Sequence, residues 1–371
     1  MILLLIFIPL FVCYSILILY YWRSWKSIPD FIPAAETSSI PVSIIIPARN
    51  EEKNIGLLLQ ALQGQTYPED LIEIIVVDDH SEDTTAEIVV KFPGVKLLKL
   101  EADTINSYKK KAIEKGITAA SGSLIVTTDA DCVPPSAWVQ TIVSFKEETG
   151  AAFIVAPVVF DCNSEVVQIF QAMDFMVLQG ITGASVNKKV LSMCNGANLA
   201  YERKVFYEVN GFSGIEHIAS GDDMLLMHKI AQKYPDRIHY LKSTDVIVST
   251  RPMRSWSSFF NQRIRWASKA LYYHDKRIFW GLLLVYLFNL SFLVLLVAGC
   301  WNPFYWLIFL VAWILKTAVE LPFFYSVAGF FNKRWAIKWL FLFQPVHIFY
   351  TTISGLFGQI GKYEWKGRKV S

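Results

Sequence analysis

Charge is missing from the first 22 residues, which contain no Asp, Glu, Lys or Arg. With no basic stretch ahead of this apolar run and no Ala-x-Ala site behind it, a cleaved signal peptide is not expected, and residues 1–22 read as a transmembrane anchor. Cysteine is sparse. The five thiols (Cys13, Cys132, Cys162, Cys194 and Cys300) include no Cys-x-x-Cys pair, which argues against a zinc ribbon or a disulfide scaffold. Excess positive charge is lacking too. Lys and Arg number 35 against 32 Asp and Glu, a net of +3, so there is no general electrostatic case for nucleic acid. Internal repeats and low-complexity segments are absent, leaving no sign of a repeat array.

Hydrophobic residues, by contrast, are plentiful at 53% and crowd into residues 1–22 and 278–357. The stretch between has an ordinary soluble composition. The pattern predicts a membrane-bound protein with one soluble domain set between apolar ends. Arg23 and Lys26 follow the first run directly. The positive-inside rule therefore puts them, and the soluble domain, on the cytoplasmic face.

Ser121 to Pro135 organises the soluble part. Leu124 to Thr127 reads as a short buried strand that stops at Asp129 and Asp131, and the proline pair Pro134-Pro135 forbids its continuation. Val42 to Ile46, Ile74 to Val77 and Val95 to Leu100 read as further strands. Helices are expected near 53–63 and from Tyr108 to about Ala120. Alternating strands and helices with short joins predict an α/β domain with a mostly parallel sheet. In such sheets ligands bind beyond the carboxyl ends of the strands. Polar clusters stand at those ends, namely Pro47-Ala48-Arg49-Asn50-Glu51, Asp78-Asp79-His80-Ser81 and Asp129-Ala130-Asp131, with Lys109-Lys110-Lys111 opening the helix before the last. Two carboxylates are enough for a hard divalent cation, because substrate phosphates and water complete its shell. Each acid taken singly is a helix cap or a turn residue; the ordered set is what points to a site.

Ala151 to Phe160 reads as another strand, Cys194 to Tyr201 as a small-residue turn entering a strand, and Asn210-Gly211-Phe212 as a tight turn. Asp222 and Asp223 open a helix that runs through Ile230. Carboxylates there are held ionised by the helix dipole, the state that a proton acceptor needs. From Arg254 to Asp275 a helix is expected, with Trp256, Phe259, Phe260, Ile264, Ala267 and Leu271 on one apolar stripe and Gln262, Arg265, Trp266 and Lys269 on another face. Helices of this kind lie in the membrane interface.

The ordered set resembles the membrane-bound family 2 glycosyltransferases related to cellulose, chitin and hyaluronan synthases. It covers roughly Pro41 to Trp266 and ends on Gln262-Arg263-Ile264-Arg265-Trp266, the family's Gln-x-x-Arg-Trp pattern. The resemblance implies a GT-A fold, a Rossmann-like and mostly parallel domain between N-terminal and C-terminal transmembrane helices. It implies an inverting transfer from a nucleotide diphosphate sugar, a UDP-sugar, to a hydroxyl of a lipid-linked or polysaccharide acceptor. By register, Pro47, Ala48, Glu51 and Asp79 meet the nucleotide. Lys109 takes the place of the Gly-Lys lysine near the diphosphate, with Lys110 and Lys111 as neighbours in the same run. Asp129 and Asp131 match the Asp-x-Asp metal site for Mg²⁺ or Mn²⁺. Asp223 stands in the base position with Asp222 before it. Gln262 and Arg265 face the diphosphate, and Trp266 is an acceptor platform. The implied partners are the nucleotide sugar, a lipid or saccharide acceptor and membrane lipids, with no nucleic acid. A polyprenyl-phosphate sugar transferase, whose acceptor needs no strong base, is the alternative, as is a silent nucleotide-sugar sensor.

The implied segments are an anchor at 1–22, a GT-A domain at 41–250, an interfacial helix at 251–277, membrane helices at 278–357 and a basic tail at 358–371. Within the membrane part, Lys316 and Glu320 are four residues apart and expected to pair. Gln344-Pro345 and His347 interrupt the last run, and the lysines and arginine of the tail oppose a full crossing. Two half-helices about Pro345 are expected there.

Overall fold

The computed structural model describes residues 2–33, 39–101, 107–162, 165–218, 221–268, 275–358, 363–365 and 368–370. Ala219, Ser220, Lys269, Leu271, Lys362 and Lys366 lie outside them. In chain order the first half runs α1 (Ile2–Ser27), β1 (Val42–Ala48), α2 (Ile55–Gln63), β2 (Ile72–Asp78), α3 (Thr85–Val90), β3 (Val95–Lys99), α4 (Tyr108–Ala119) and β4 (Leu124–Thr127). Then come α5 (Trp138–Thr149), β5 (Phe153–Val155), β6 (Val158–Phe160), α6 (Val166–Asn187), β7 (Leu199–Glu202), α7 (Arg203–Glu208), α8 (Met224–Lys233), β8 (Ile238–Tyr240) and β9 (Val248–Thr250). The chain continues with α9 (Trp256–Ala267), α10 (Lys276–Ala298), α11 (Phe304–Phe330), α12 (Ile337–Phe357) and a hairpin, β10 (Tyr363–Trp365) and β11 (Arg368–Val370). It divides into two units, one of Ile28–Asp161 and Ser185–Arg251, the other of Met1–Ser27, Cys162–Ala184 and Pro252–Ser371.

The first unit is built on a seven-stranded sheet of order β3-β2-β1-β4-β7-β5-β8. The apolar runs of β1, β2 and β4 are covered on both faces, which is why they read as continuous and not alternating; Ile44, Ile45 and Ile46 are fully buried. β1 pairs in parallel with β2 on one side and β4 on the other, Val42 lying opposite both Ile72 and Leu124. The chain thus winds outward from β1 through β2 and β3, then returns to the far side of β1. That reversal opens a crevice at the carboxyl ends of β1 and β4. Gly116 lets α4 press onto β1, since a Cβ there would come within 2.5 Å of Ile45 Cγ2.

The single strand expected over Ala151 to Phe160 is two strands in different sheets. β5 joins the main sheet between β7 and β8, while β6 pairs in parallel with β9. Pro157 lies between them and has no N–H for a ladder.

Among the described residues of the second unit, four helices are long and apolar enough to cross a membrane, α1, α10, α11 and the stretch Arg334–Phe357 that contains α12. α1 runs on through Arg23 and Lys26 to Ser27. Tyr14 of α1 stacks on Phe288 of α10 at 4.2 Å between ring centroids, and Trp25 meets Phe330 of α11 edge-on at 5.4 Å. Lys316 is fully buried and paired to Glu320 at 2.6 Å. Gln344 of α12 and Tyr14 of α1 complete this network, the first through Lys316 Nζ at 2.6 Å and a bond to Glu320, the second through its hydroxyl on Glu320. A charge buried this deeply is tolerated because every partner is a hydrogen-bonding one.

The half-helices expected about Pro345 do not form, and α12 is one helix with Pro345 inside it. Proline strips the carbonyl four residues earlier, that of Phe341, of its helical donor. The indole Nε1 of Trp313 on α11 donates to that carbonyl at 3.0 Å, and its ring stacks on Phe341 at 4.8 Å. α6, a 22-residue helix, has no counterpart in the sequence reading, because polar residues such as Gln171, Asp174 and Gln179 are buried among its apolar ones and no clean polar face shows.

Candidate active site

The carboxyl ends of β1 and β2 are in register, Ala48 opposite Asp78. Asp79 N donates to Ala48 O at 2.8 Å, and the buried Arg49 spans the gap, its Nη1 donating to the carbonyls of Asp79 and His80 at 2.9 and 3.1 Å. Pro47 is half-buried at this edge. Glu51 is fixed at both ends, its N–H donating to Thr85 Oγ1 and its Oε2 accepting from Asn54 Nδ2, both at 2.7 Å. Asp79 is 3% exposed and its Oδ1 lies 2.9 Å from His80 Nδ1. The two loops form one rigid lip beside the crevice.

Opposite this lip, three consecutive lysines on α4 part company. Helical residues one apart point about 100° away from each other. Lys109 Nζ lies 2.6 Å from Asp129 and 3.3 Å from Asp222. Lys110, 2% exposed, donates to the carbonyls of Ile215 and Ile218 at 2.8 and 2.6 Å, tying down the loop that leads to Asp222. Lys111 turns to Glu114 at 2.8 Å. Burial works to lower the pKa of Lys109, but Asp129 and then Asp222 outweigh it together, so the ammonium is held charged well above its usual range.

Asp223 caps α8, with Oδ1 accepting from Met224 N at 2.7 Å. Its Oδ2 accepts from Gly196 N at 3.2 Å. Gly196 permits this closeness, since a Cβ there would stand 3.1 Å from Asp222 Oδ2 and 3.2 Å from Lys109 Nζ. The turn carrying Gly196 is set by Asn198, a residue the sequence reading did not single out. Asn198 is fully buried, donates to Pro157 O and Val246 O at 2.7 Å each, and accepts from Trp138 Nε1 at 2.9 Å. The structure thus gathers Lys109, Asp129, Gly196, Asp222 and Asp223 in one place, on α4, β4, the turn before β7 and the start of α8.

Asp129 and Asp131 follow β4 within a short turn closed by Cys132 N donating to Asp129 O at 3.1 Å. Both are partly exposed. Their hard oxygen donors suit Mg²⁺ or Mn²⁺ and suit neither a thiolate-seeking nor an imidazole-seeking metal. Among the described residues no three His, Cys, Asp or Glu gather into a full cage, so a cation here takes the rest of its shell from water and phosphate.

Gln262, Arg265 and Trp266 lie in the other unit, on α9. The inward face of α9 differs from the expected stripe. Its buried residues are Phe259 and Arg263, while Trp256 is 37% exposed and Phe260 and Ile264 are half-buried. A buried arginine occupies what the pattern left as an unspecified position, because an ion pair compensates its charge.

Strand-end carboxylates and a charged lysine between them thus stand together where the sheet of this α/β unit reverses. Residues 43–209 match the family model described as Glycosyl transferase family 2. Glycosyltransferase AglE of Haloferax volcanii is 28% identical over 234 residues, spanning 62% of this chain and 73% of that protein. A probable glycosyltransferase, YdaM of Bacillus subtilis, is 26% identical over 233 residues, 61% of this chain but about half (54%) of its own length. Among solved structures, the mannosyltransferase PcManGT from Pyrobaculum calidifontis, in complex with GDP-Man and Mn²⁺, superposes with a TM-score of 0.62 at 19% identity, covering 95% of this chain and 99% of that one. The likeness over residues 43–209 is to the family 2 glycosyl transferases, and the fold is GT-A.

Proposed function

We propose that the protein moves a sugar from a nucleotide diphosphate sugar, UDP-linked in the first instance, to a hydroxyl of a lipid-linked or polysaccharide acceptor at the cytoplasmic membrane face, inverting the anomeric centre. The observation that carries this reading is Lys109 set between Asp129 and Asp222, with Asp223 alongside, at the carboxyl ends of parallel strands. Pro47, Ala48, Glu51 and Asp79 receive the base and ribose. Lys109 offers its ammonium to the diphosphate as charge develops on the leaving group. A divalent cation held by Asp129 and Asp131 would supply neutralisation of that diphosphate. Asp223 accepts the proton of the attacking hydroxyl, its direction fixed by the amides of Gly196 and Met224. Asp222 keeps Lys109 in place. The family pattern assigns Gln262 and Arg265 to the diphosphate and Trp266 to the acceptor sugar. GDP-mannose enters the candidate donors through the Pyrobaculum mannosyltransferase.

The test is nucleotide release from a panel of UDP- and GDP-sugars by the full-length protein in polar lipid extract with Mg²⁺ or Mn²⁺. One donor should turn over. Asp223→Asn should lower kcat by roughly 10²–10⁴ with donor KM little changed, the span expected for loss of a general base. Asp131→Asn should abolish release at ordinary Mg²⁺ or Mn²⁺ concentrations by weakening the hold on the cation. Undiminished turnover in Asp223→Asn would favour a phosphate acceptor, which needs no strong base.

A further inference from the structure

Trp266 does not stand alone on α9. The guanidinium carbon of Arg263 lies 4.2 Å from the centre of the Trp266 ring and 4.9 Å from that of Phe259. Phe175 of α6 approaches the same indole at 6.1 Å. Arg263 is 4% exposed, and its Nη2 donates to Asp174 Oδ2 of α6 at 2.6 Å. The other oxygen of Asp174 accepts from the hydroxyl of Tyr350 on α12. Three helices therefore meet at one buried carboxylate.

A buried ion pair is a costly way to dock helices, since well-packed apolar side chains of the same volume hold as well or better. What it gains is direction. Asp174 has both oxygens engaged, one by Tyr350 and one by Arg263, so one end of the guanidinium is anchored while its Nη1 reaches Gln262 Oε1 at 3.5 Å. A planar guanidinium stacks on an aromatic face in a way that a lysine ammonium does not, and desolvation strengthens the attraction of a cation to the indole face. We infer that Arg263, held by Asp174 and Tyr350, is a positioning residue for Trp266, setting the ring against which the acceptor sugar stacks. Arg263 touches neither substrate nor cation in this scheme and acts only through Trp266. The inference rests on the transferase reading above and on the acceptor role of Trp266 within it.

The experiment is a double-mutant cycle on the full-length protein, with the donor chosen from the panel and polar lipid extract as the varied acceptor source. Trp266→Ala should raise the half-saturating extract concentration. Arg263→Lys should raise it about tenfold, in line with loss of a partly desolvated cation–π contact, with donor KM and melting temperature near those of the unaltered protein. Tyr350→Phe, which removes only one hydroxyl, should give a smaller rise in the same quantity and serves if Arg263→Lys fails to fold. In the Trp266→Ala background neither substitution should add anything. Losses that multiply in the double variants, or that fall on donor KM, would overturn the positioning role and leave the transferase reading standing. Absence of turnover by the unaltered protein, or an unchanged extract dependence in Trp266→Ala, would sink the underlying reading itself, and the inference with it.

Discussion

Lys109, Lys110 and Lys111 are chemically identical neighbours, yet they meet a pair of site acids, two loop carbonyls and a surface glutamate. Residue type alone cannot separate them; the rotation of α4 against β1 does. The acids were legible because strand-end carboxylates in a parallel sheet have few other uses, and their order along the chain carries the family pattern. Arg263 and Asp174 were not, because their pairing crosses 89 residues and an arginine inside a motif gap reads as solvent-facing. Lys110→Met should leave the half-buried carbonyl of Ile218 without its ammonium donor and that of Ile215 with only Ile218 N at 3.3 Å. The expected outcome is a loss of about 1–3 kcal/mol for the unpaired carbonyl, seen as a lower melting temperature, and earlier proteolysis within residues 211–218. Unchanged melting and digestion would mean that the loop is held by other contacts.

At the scale of elements, β1, β2 and β4 were readable as short apolar runs, and α4 and α8 as helices opened by charged residues. Elements whose form depends on a partner were not. Pro157 turns one expected strand into two, and the bend falls where β6 leaves for β9. Pro345 should break α12, yet the helix continues because Trp313 takes over the stranded Phe341 carbonyl. That rescue comes from a different helix and has no signature in the local sequence. Trp313→Phe keeps the ring and deletes the donor. It should cost about 1–3 kcal/mol, the penalty for a helix carbonyl left without a donor away from water, read as detergent-solubilised stability. In the Pro345→Ala background, where the backbone supplies its own bond, the same substitution should cost far less. An equal cost in both backgrounds would show that stacking and not the hydrogen bond matters.

At the scale of the molecule, the apolar ends and the polar centre were plain from composition, and the division into two units follows that distribution. The course of the last helix was not, because charge and continuity disagree. Four basic residues beyond α12, Lys362, Lys366, Arg368 and Lys369, favour the cytoplasmic side. An unbroken helix of 21 residues rises roughly 31 Å at 1.5 Å per residue and matches the bilayer core. On this continuity we propose that α12 crosses fully, against the charge bias of the tail. A cysteine placed at Ser371 should therefore react with an impermeant maleimide from the side opposite to one placed at Glu69, which lies in the sheet-containing unit. Labelling of both from the same side would restore the re-entrant course.

The most direct measurement on the central claim, that the strand ends beside Lys109 receive a nucleotide diphosphate, is a calorimetric titration of the full-length protein with UDP and with GDP, with and without Mn²⁺. The site predicts saturable binding of one nucleotide that needs the cation and weakens roughly 10- to 100-fold in Lys109→Met, the range for losing a hydrogen bond to a charged group. Saturable binding of neither nucleotide, or an affinity untouched by Lys109→Met and by Asp129→Asn, would contradict it.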